Sequence, residues 1–224
     1  FYQESGGEAG TGSVLEMLGS NYDVPEPAVA DYGNLIENAR DFSDTALLVF
    51  GRSGGEGADM PYDMADYAGG TSGRHYMQLT ENEEDLVKMA RSEFEKVIVL
   101  INSSAAMELG FLEEQDVDAA IWIGGPGSTG LAAVAKALTG EVNPSGRLVD
   151  TYAYDITKSP AYYNAGDFTY LGSEHPATGL SGLFSKEDAH YSFVNYQEGI
   201  YVGYRYYETA AADGFINYDE EVQY

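Results

Sequence analysis

The sequence predicts an α/β fold, in which a mostly parallel sheet is flanked by helices and is followed by a long irregular, Tyr-rich loop region. Strand-sized apolar runs alternate with helix-like segments from about residue 31 to residue 150. Beyond 151, 13 of the 19 tyrosines lie among Gly, Asn, Ser and Pro with little periodicity. We therefore expect an opening loop and linker over 1–30, an α/β core over 31–155, and a loop-rich extension or insertion over 156–224.

The strands and helices of the predicted core follow one another in order. Apolar runs predict buried strands at 45–50 and 97–101, the second apolar throughout, as is typical of a parallel strand covered on both faces. Thr80 and Glu83 have the spacing of an N-cap and its box partner at the start of a helix. Further elements are predicted as a short helix around 35–39, a helix at 104–114, a strand at 118–123, a helix at 131–138, and strands at 146–150 and 199–207.

Composition excludes several classes of function. Acidic residues outnumber basic ones 37 to 11, which gives a formal charge of −26 and a pI near 4.1. So negative a chain repels phosphate backbones, so we expect no nucleic-acid partner. The apolar runs are too short to cross a bilayer, and the absence of cysteine excludes disulfides and thiolate metal sites while leaving the compartment open.

The first candidate site is the glycine-rich loop at 51–59, directly after the predicted strand 45–50. In open α/β sheets ligands lie outside the carboxyl ends of the strands. Glycines on both sides of Glu56 let the backbone bring its carboxyl close to a ligand, where it could act as a general acid. The alternative is that Arg52, Glu56 and Asp59 are solvated loop charges.

The second candidate is the segment Gly-Pro-Gly-Ser-Thr-Gly at 125–130. It follows a predicted strand and opens a predicted helix, with Asp150 lying 20 residues beyond Gly130, which formally satisfies a dinucleotide-binding fingerprint. The simpler interpretation, which we favour, is that the glycines let a helix start tightly against the sheet. The three histidines, at 75, 175 and 190, lack metal-ligand spacing, and we expect no metal.

Four stretches together resemble the second domain of glycoside hydrolase family 3. They occur in the family's order at 49–59, 97–103, 140–148 and 196–207, and include Asn-Pro-Ser-Gly-Arg-Leu and Glu-Gly-Ile-Tyr-Val-Gly-Tyr-Arg-Tyr. The resemblance implies a layered (α/β)6 sandwich that works beside a (β/α)8 barrel, with the active site between them. It covers roughly 45–210, apart from a loop-rich stretch between about 155 and 195.

The resemblance also implies an activity, namely retaining hydrolysis of terminal β-linked sugar residues by a β-glucosidase-like enzyme. The family's loop maps its general acid/base onto Glu56 and places Asp59 at the substrate. Arg52 is assigned to the substrate only from its place in the loop. Met60 departs from the Arg that many members carry there. The family's nucleophile is an Asp on the barrel, which this chain lacks, so we expect a piece of a longer protein that is inactive alone.

Two other functions remain open from the sequence. One is a dinucleotide-binding α/β domain that uses 125–130 and Asp150. The other is a non-catalytic carbohydrate-binding module, in which some of the tyrosines after 151 stack on sugar faces. The glycoside hydrolase interpretation requires no cofactor, and its partners are a β-linked oligosaccharide or glucoside and the barrel domain.

Overall fold

The computed structural model describes residues 22–54, 60–164, 168–176 and 189–223. Within these residues the chain divides into two compact units. The first runs to Tyr154 and takes in Gln223, and the second runs from Asp155 to Val222.

The first unit is built on three parallel strands. They are β1 (Thr45–Arg52), β2 (Lys96–Ser103) and β3 (Ala119–Trp122), and they lie in the order β1-β2-β3. The register places Arg52 opposite Ser103, so the first two strands end side by side. The α/β fold with a parallel sheet, predicted from the sequence, is confirmed.

Helices precede, connect and follow these strands. The helix between β1 and β2 begins with the predicted capping box: the backbone N–H of Glu83 donates to Thr80 Oγ1, and the backbone N–H of Thr80 donates to Glu83 Oε2. The helices of the first unit are α1 (Val29–Tyr32), α2 (Leu35–Phe42), α3 (Glu81–Glu93), α4 (Phe111–Glu114) and α5 (Gly127–Leu138).

The core of the first unit lies where α3 packs against β1 and β2. Val97, Val99 and Ile101 alternate along β2 and are almost completely buried, as is Val87 of α3. Phe50 of β1 meets Phe111 edge to face, with ring centroids 5.7 Å apart. This packing fixes the sheet, and with it the direction in which the strand ends present their loops.

The predicted helix at 104–114 is wrong over most of its length. Only Phe111–Glu114 is helical. The backbone N–H of Glu108 donates instead to the carbonyl of Met77, at 3.0 Å. The Glu108 N–H, which in a helix would bond to a carbonyl of the same helix, is therefore bonded to a residue distant in the sequence.

The predicted strand at 146–150 is also wrong. These residues form no strand, and Val149 is 83% exposed. A strand needs a neighbour for its backbone groups, and in the described ranges β3 pairs only with β2. The apolar pattern alone could not supply that neighbour.

The second unit is mostly irregular, as the Tyr-rich composition predicts. The strand predicted at 199–207 is wrong, because Gly203, at φ 58°, ends an irregular segment and a helix begins at Tyr204. Among the described residues of this unit, the helical segments are two 3-10 turns, Ile156–Lys158 and Tyr162–Asn164, followed by α6 (Tyr204–Ala212) and α7 (Tyr218–Glu221). In the part of the chain that the structure describes, no helix has the length and apolar character needed to cross a membrane.

Candidate functional site

The glycine-rich loop leaves the sheet at the carboxyl end of β1. Two of its predicted site residues, Glu56 and Asp59, fall in 55–59, outside the described residues. The flanks of the loop are described. A Cβ placed on Gly54 would lie 3.5 Å from Met60 Cε and 3.5 Å from Ser104 Oγ, so the two flanks come close to each other beside the end of β2.

Arg52, the last residue of β1, is only 4% exposed. Its Nε donates to the carbonyl of Tyr76 at 2.6 Å, and its two terminal nitrogens donate to the carbonyls of Gly51 and Gln78. The same two nitrogens form a bidentate ion pair with Glu83, at 2.8 and 2.6 Å. These bonds use all five donors of a guanidinium. For Arg52 to contact a substrate, as predicted, one of them would have to be given up.

The partner carboxylate, Glu83, is equally enclosed. It is 3% exposed, and its Oε2 also accepts the backbone N–H of Thr80 at 2.8 Å. The ion pair therefore joins the end of β1 to the start of α3. Buried pairs of this kind are maintained only when their remaining hydrogen-bonding groups are satisfied, and here they are.

Tyr76 contacts both flanks of the loop. On the side that leaves β1, its Oη accepts the backbone N–H of Ser53 at 2.8 Å and lies 3.2 Å from Ser53 Oγ. On the returning side, its backbone N–H donates to the carbonyl of Pro61 at 3.1 Å. Its ring is packed edge to face on Tyr22, with centroids 4.9 Å apart, and the Arg52 guanidinium carbon lies 5.4 Å from its centre.

Sequence analysis did not identify Tyr76 as part of this site. Tyr76 lies 24 residues after Arg52 in the sequence, within a stretch that has no periodicity of its own. Nor did the capping box reveal the ion pair, because Glu83 already has a local role that explains its spacing from Thr80. Only the folded chain brings these residues together.

The second predicted site, at 125–130, has a local structural explanation. Helix α5 begins at Gly127, and both Gly124 and Gly127 have positive φ, at 54° and 63°, which L side chains rarely adopt. A Cβ on Gly130 would lie 3.0 Å from Pro126 Cβ. Local geometry therefore accounts for the glycines at 124, 127 and 130. That these glycines let the helix start tightly against the sheet stays a prediction.

Two of the described histidines, His75 and His175, are engaged with protein groups. His75 is buried, with Nε2 3.2 Å from Glu108 Oε1 and Nδ1 accepting the backbone N–H of Met77. His175 stacks on Tyr191, with centroids 4.6 Å apart. Across the described ranges, no group of three or more His, Asp or Glu side chains is arranged to hold a metal ion.

The first unit also contains a cavity of about 820 Å³, lined largely by α2, β1 and α3. Most of its lining is apolar, but the lining also includes Glu26 and Glu83. Burial raises the pKa of Glu26 to about 7, helped by the neighbouring Glu83 charge and opposed by the Tyr32 hydroxyl, which donates to Glu26 Oε1 at 2.7 Å. Nothing in the sequence around Glu26 indicated this environment.

Comparison with known proteins gives a consistent family. Residues 18–204 match the family described as "Glycosyl hydrolase family 3 C-terminal domain". The chain is 32% identical over 180 residues to a beta-glucosidase of Ruminococcus albus, covering 80% of this chain and 16% of that protein. It is 30% identical over 211 residues to beta-glucosidase A of Butyrivibrio fibrisolvens, covering 87% of this chain and 22% of that protein.

A solved structure gives the same result for the fold. A beta-glucosidase from Paenibacillus barengoltzii superposes with a TM-score of 0.54 at 27% identity, covering 78% of this chain and 16% of that chain. The chain thus spans about a fifth of the length of the relatives it matches.

Proposed function

Since the chain belongs to the family of glycosyl hydrolase family 3 C-terminal domains, we propose that it carries the general acid/base, Glu56, of a β-glucosidase-like enzyme. The observation that supports this most is the position of the loop: it leaves β1 at the carboxyl edge of a parallel sheet, beside the end of β2. Ligands of open α/β sheets bind at that edge.

In the proposed reaction Glu56 first protonates the oxygen of the departing sugar or alcohol. A second carboxylate attacks the sugar ring, and Glu56 then takes a proton from the water that releases the sugar. A retaining enzyme of this type needs two carboxyl groups about 5–5.5 Å apart, one protonated and one ionised. Glu56 supplies one of them, and we propose that an Asp on a (β/α)8 barrel supplies the other.

The proposal extends to the remaining parts of the chain. We propose that Asp59 contacts the substrate, a terminal β-linked sugar residue. We propose that Arg52 also binds this substrate, from the base of the loop. Residues 31–155 would form the sandwich core and 156–224 its loop-rich extension. Without the barrel the chain would not turn over substrate.

The test uses Glu56→Ala in the intact protein that contains this chain. With an aryl β-glucoside that has a good leaving group, the first step needs little acid, so loss of the base should slow release of the sugar. Azide, which needs no base, should restore turnover and give a glycosyl azide. On an unactivated disaccharide we expect kcat/KM to fall by about 10²–10⁴, the usual contribution of a general acid.

Glu95→Ala is the matched control, because Glu95 is an exposed glutamate of the same unit. It should leave both substrates and the azide response unchanged. If Glu56→Ala behaves like Glu95→Ala, Glu56 is a loop charge and the proposed function is wrong.

A further inference from the structure

We propose that Tyr76 is a positioning residue that fixes both ends of the 53–61 loop and thereby sets where Glu56 is presented. The inference rests on the proposed function of Glu56. Its structural basis lies entirely in described residues outside 55–59. We call Arg52, Ser53, Pro61 and Tyr76 the loop junction.

The departing end of the loop is held by the Tyr76 side chain and carbonyl. The backbone N–H of Ser53 donates to Tyr76 Oη at 2.8 Å, and Ser53 Oγ lies 3.2 Å from the same oxygen. One residue earlier, Arg52 Nε donates to the Tyr76 carbonyl at 2.6 Å. Two consecutive residues are therefore bonded to one tyrosine as the chain leaves the sheet.

The returning end is held by the Tyr76 backbone, whose N–H donates to the Pro61 carbonyl at 3.1 Å. One residue thus bonds the chain on both sides of the segment that bears Glu56. The closeness of Gly54 to Met60 agrees with this arrangement.

Tyr76 can fix these ends because its own position is determined by its neighbours. The residue is 3% exposed, and its ring packs against Tyr22 at 4.9 Å. The Arg52 guanidinium is itself held in the ion pair with Glu83, which ties the loop junction to the start of α3. The path from α3 to the loop therefore runs through the buried, hydrogen-bonded residues Glu83, Arg52 and Tyr76.

The position of the loop matters because a general acid acts only within hydrogen-bonding reach of the proton's destination. A misplacement of about 1 Å caused by a distant change can cost about 10² in rate. The Ser53–Tyr76 hydroxyl contacts lie three residues before Glu56. Their loss should therefore impair acid catalysis more than substrate binding.

The test is Tyr76→Phe in the intact protein. This change removes Oη but keeps the ring and the backbone bonds to Arg52 and Pro61. We expect kcat/KM for an unactivated β-linked disaccharide to fall by about 10-fold or more. For a dinitrophenyl β-glucoside, whose leaving group needs little protonation, we expect a change of less than about 2-fold.

Tyr32→Phe is the matched control. Tyr32 is also buried and also donates from its hydroxyl, but the acceptor is Glu26, which lies outside the loop junction. It should shift Tm by a similar amount while leaving the ratio of the two kcat/KM values unchanged. If Tyr76→Phe changes both substrates equally, or matches Tyr32→Phe, the positioning proposal is wrong even when Glu56→Ala behaves as expected.

A double variant separates this proposal from the proposed function. If Tyr76 acts through Glu56, adding Tyr76→Phe to Glu56→Ala should cause no further loss on the disaccharide. A full additional loss would overturn the proposal. If Glu56→Ala itself has unchanged kinetics and no azide rescue, the proposed function is overturned instead.

Ser53→Ala is the second variant, to be used if Tyr76→Phe does not fold. It removes the other hydroxyl of the contact, and its result is judged by the same ratio of the two kcat/KM values.

Discussion

Two carboxyl groups border the same cavity beside α3 and have different surroundings. The Glu83 carboxylate accepts hydrogen bonds from both terminal nitrogens of Arg52 and from the backbone N–H of Thr80. Glu26 has a side-chain hydrogen bond from the Tyr32 hydroxyl, and burial raises its pKa to about 7. The two carboxyls thus differ in their partners: Glu83 is paired with a cation, whereas Glu26 is partly buried beside a hydroxyl and a second carboxylate.

The two carboxyls have different consequences for the first unit. Around Glu83 a bidentate ion pair joins the end of β1 to the start of α3, and this region supports the loop junction. Glu26, a partly buried acid in the lining of a largely apolar cavity, changes its charge near neutral pH. Stability should therefore depend on pH through Glu26.

The largest effect should come from breaking the ion pair with Arg52→Leu. The change removes five hydrogen bonds and leaves the Glu83 carboxyl, 3% exposed, without its cation. Breaking a buried pair on one side costs about 3–5 kcal/mol. The free energy of unfolding, measured by denaturant titration, should fall by that amount.

Two further variants sharpen this result. Arg40→Leu breaks an ion pair with Glu93 whose side chains are 55% and 34% exposed, so it should cost less than about 1 kcal/mol. The double variant Arg52→Leu/Glu83→Leu should recover part of the loss, because no buried charge is left alone. A double variant less stable than Arg52→Leu would show that the uncompensated charge is not the main cost.

The next effect concerns Glu26→Gln and its dependence on pH. The folded pKa of about 7 lies above the ordinary 4.5, so the folded state binds the proton more tightly. Its contribution to stability is complete below about pH 4.5 and is lost as pH rises through 7. Glutamine carries no charge, so the variant should be more stable than the parent at pH 8 by about 1–2 kcal/mol after solvent screening.

At pH 4 the two proteins should have nearly the same stability. The measurement is thermal or denaturant unfolding at pH 4, 6 and 8, with the exposed Glu95→Gln as the control that should show no such trend. If the stability difference between variant and parent is the same at all three pH values, Glu26 ionises in the same range as an exposed carboxyl.

Sequence reasoning identified the features that depend on near neighbours in the chain. The strands at 45–50 and 97–101 follow from their apolar runs, and both are found. The Thr80–Glu83 box is found with both of its hydrogen bonds. Such features have a fixed spacing, which the sequence displays directly.

The features it missed depend on partners distant in the chain. Tyr76 contacts Ser53 and Pro61 only in the folded chain, and burial is what raises the pKa of Glu26. The helix predicted at 104–114 is shortened because the Glu108 N–H bonds to Met77. In each case a tertiary contact, invisible to local patterns, determines the outcome.

The last prediction concerns Thr80→Ala and asks what holds Glu83 in place. The change removes the Oγ1 that accepts the Glu83 backbone N–H, but it keeps the Thr80 N–H that donates to Glu83 Oε2. Loss of an N-cap costs about 1 kcal/mol, and Thr80→Ser, which retains the hydroxyl, should lose much less. If denaturant unfolding shows a loss as large as that of Arg52→Leu, the Thr80 hydroxyl is needed to hold the carboxylate for its cation. A loss near about 1 kcal/mol, as we expect, means that Arg52 and the Thr80 backbone N–H hold Glu83 without the hydroxyl.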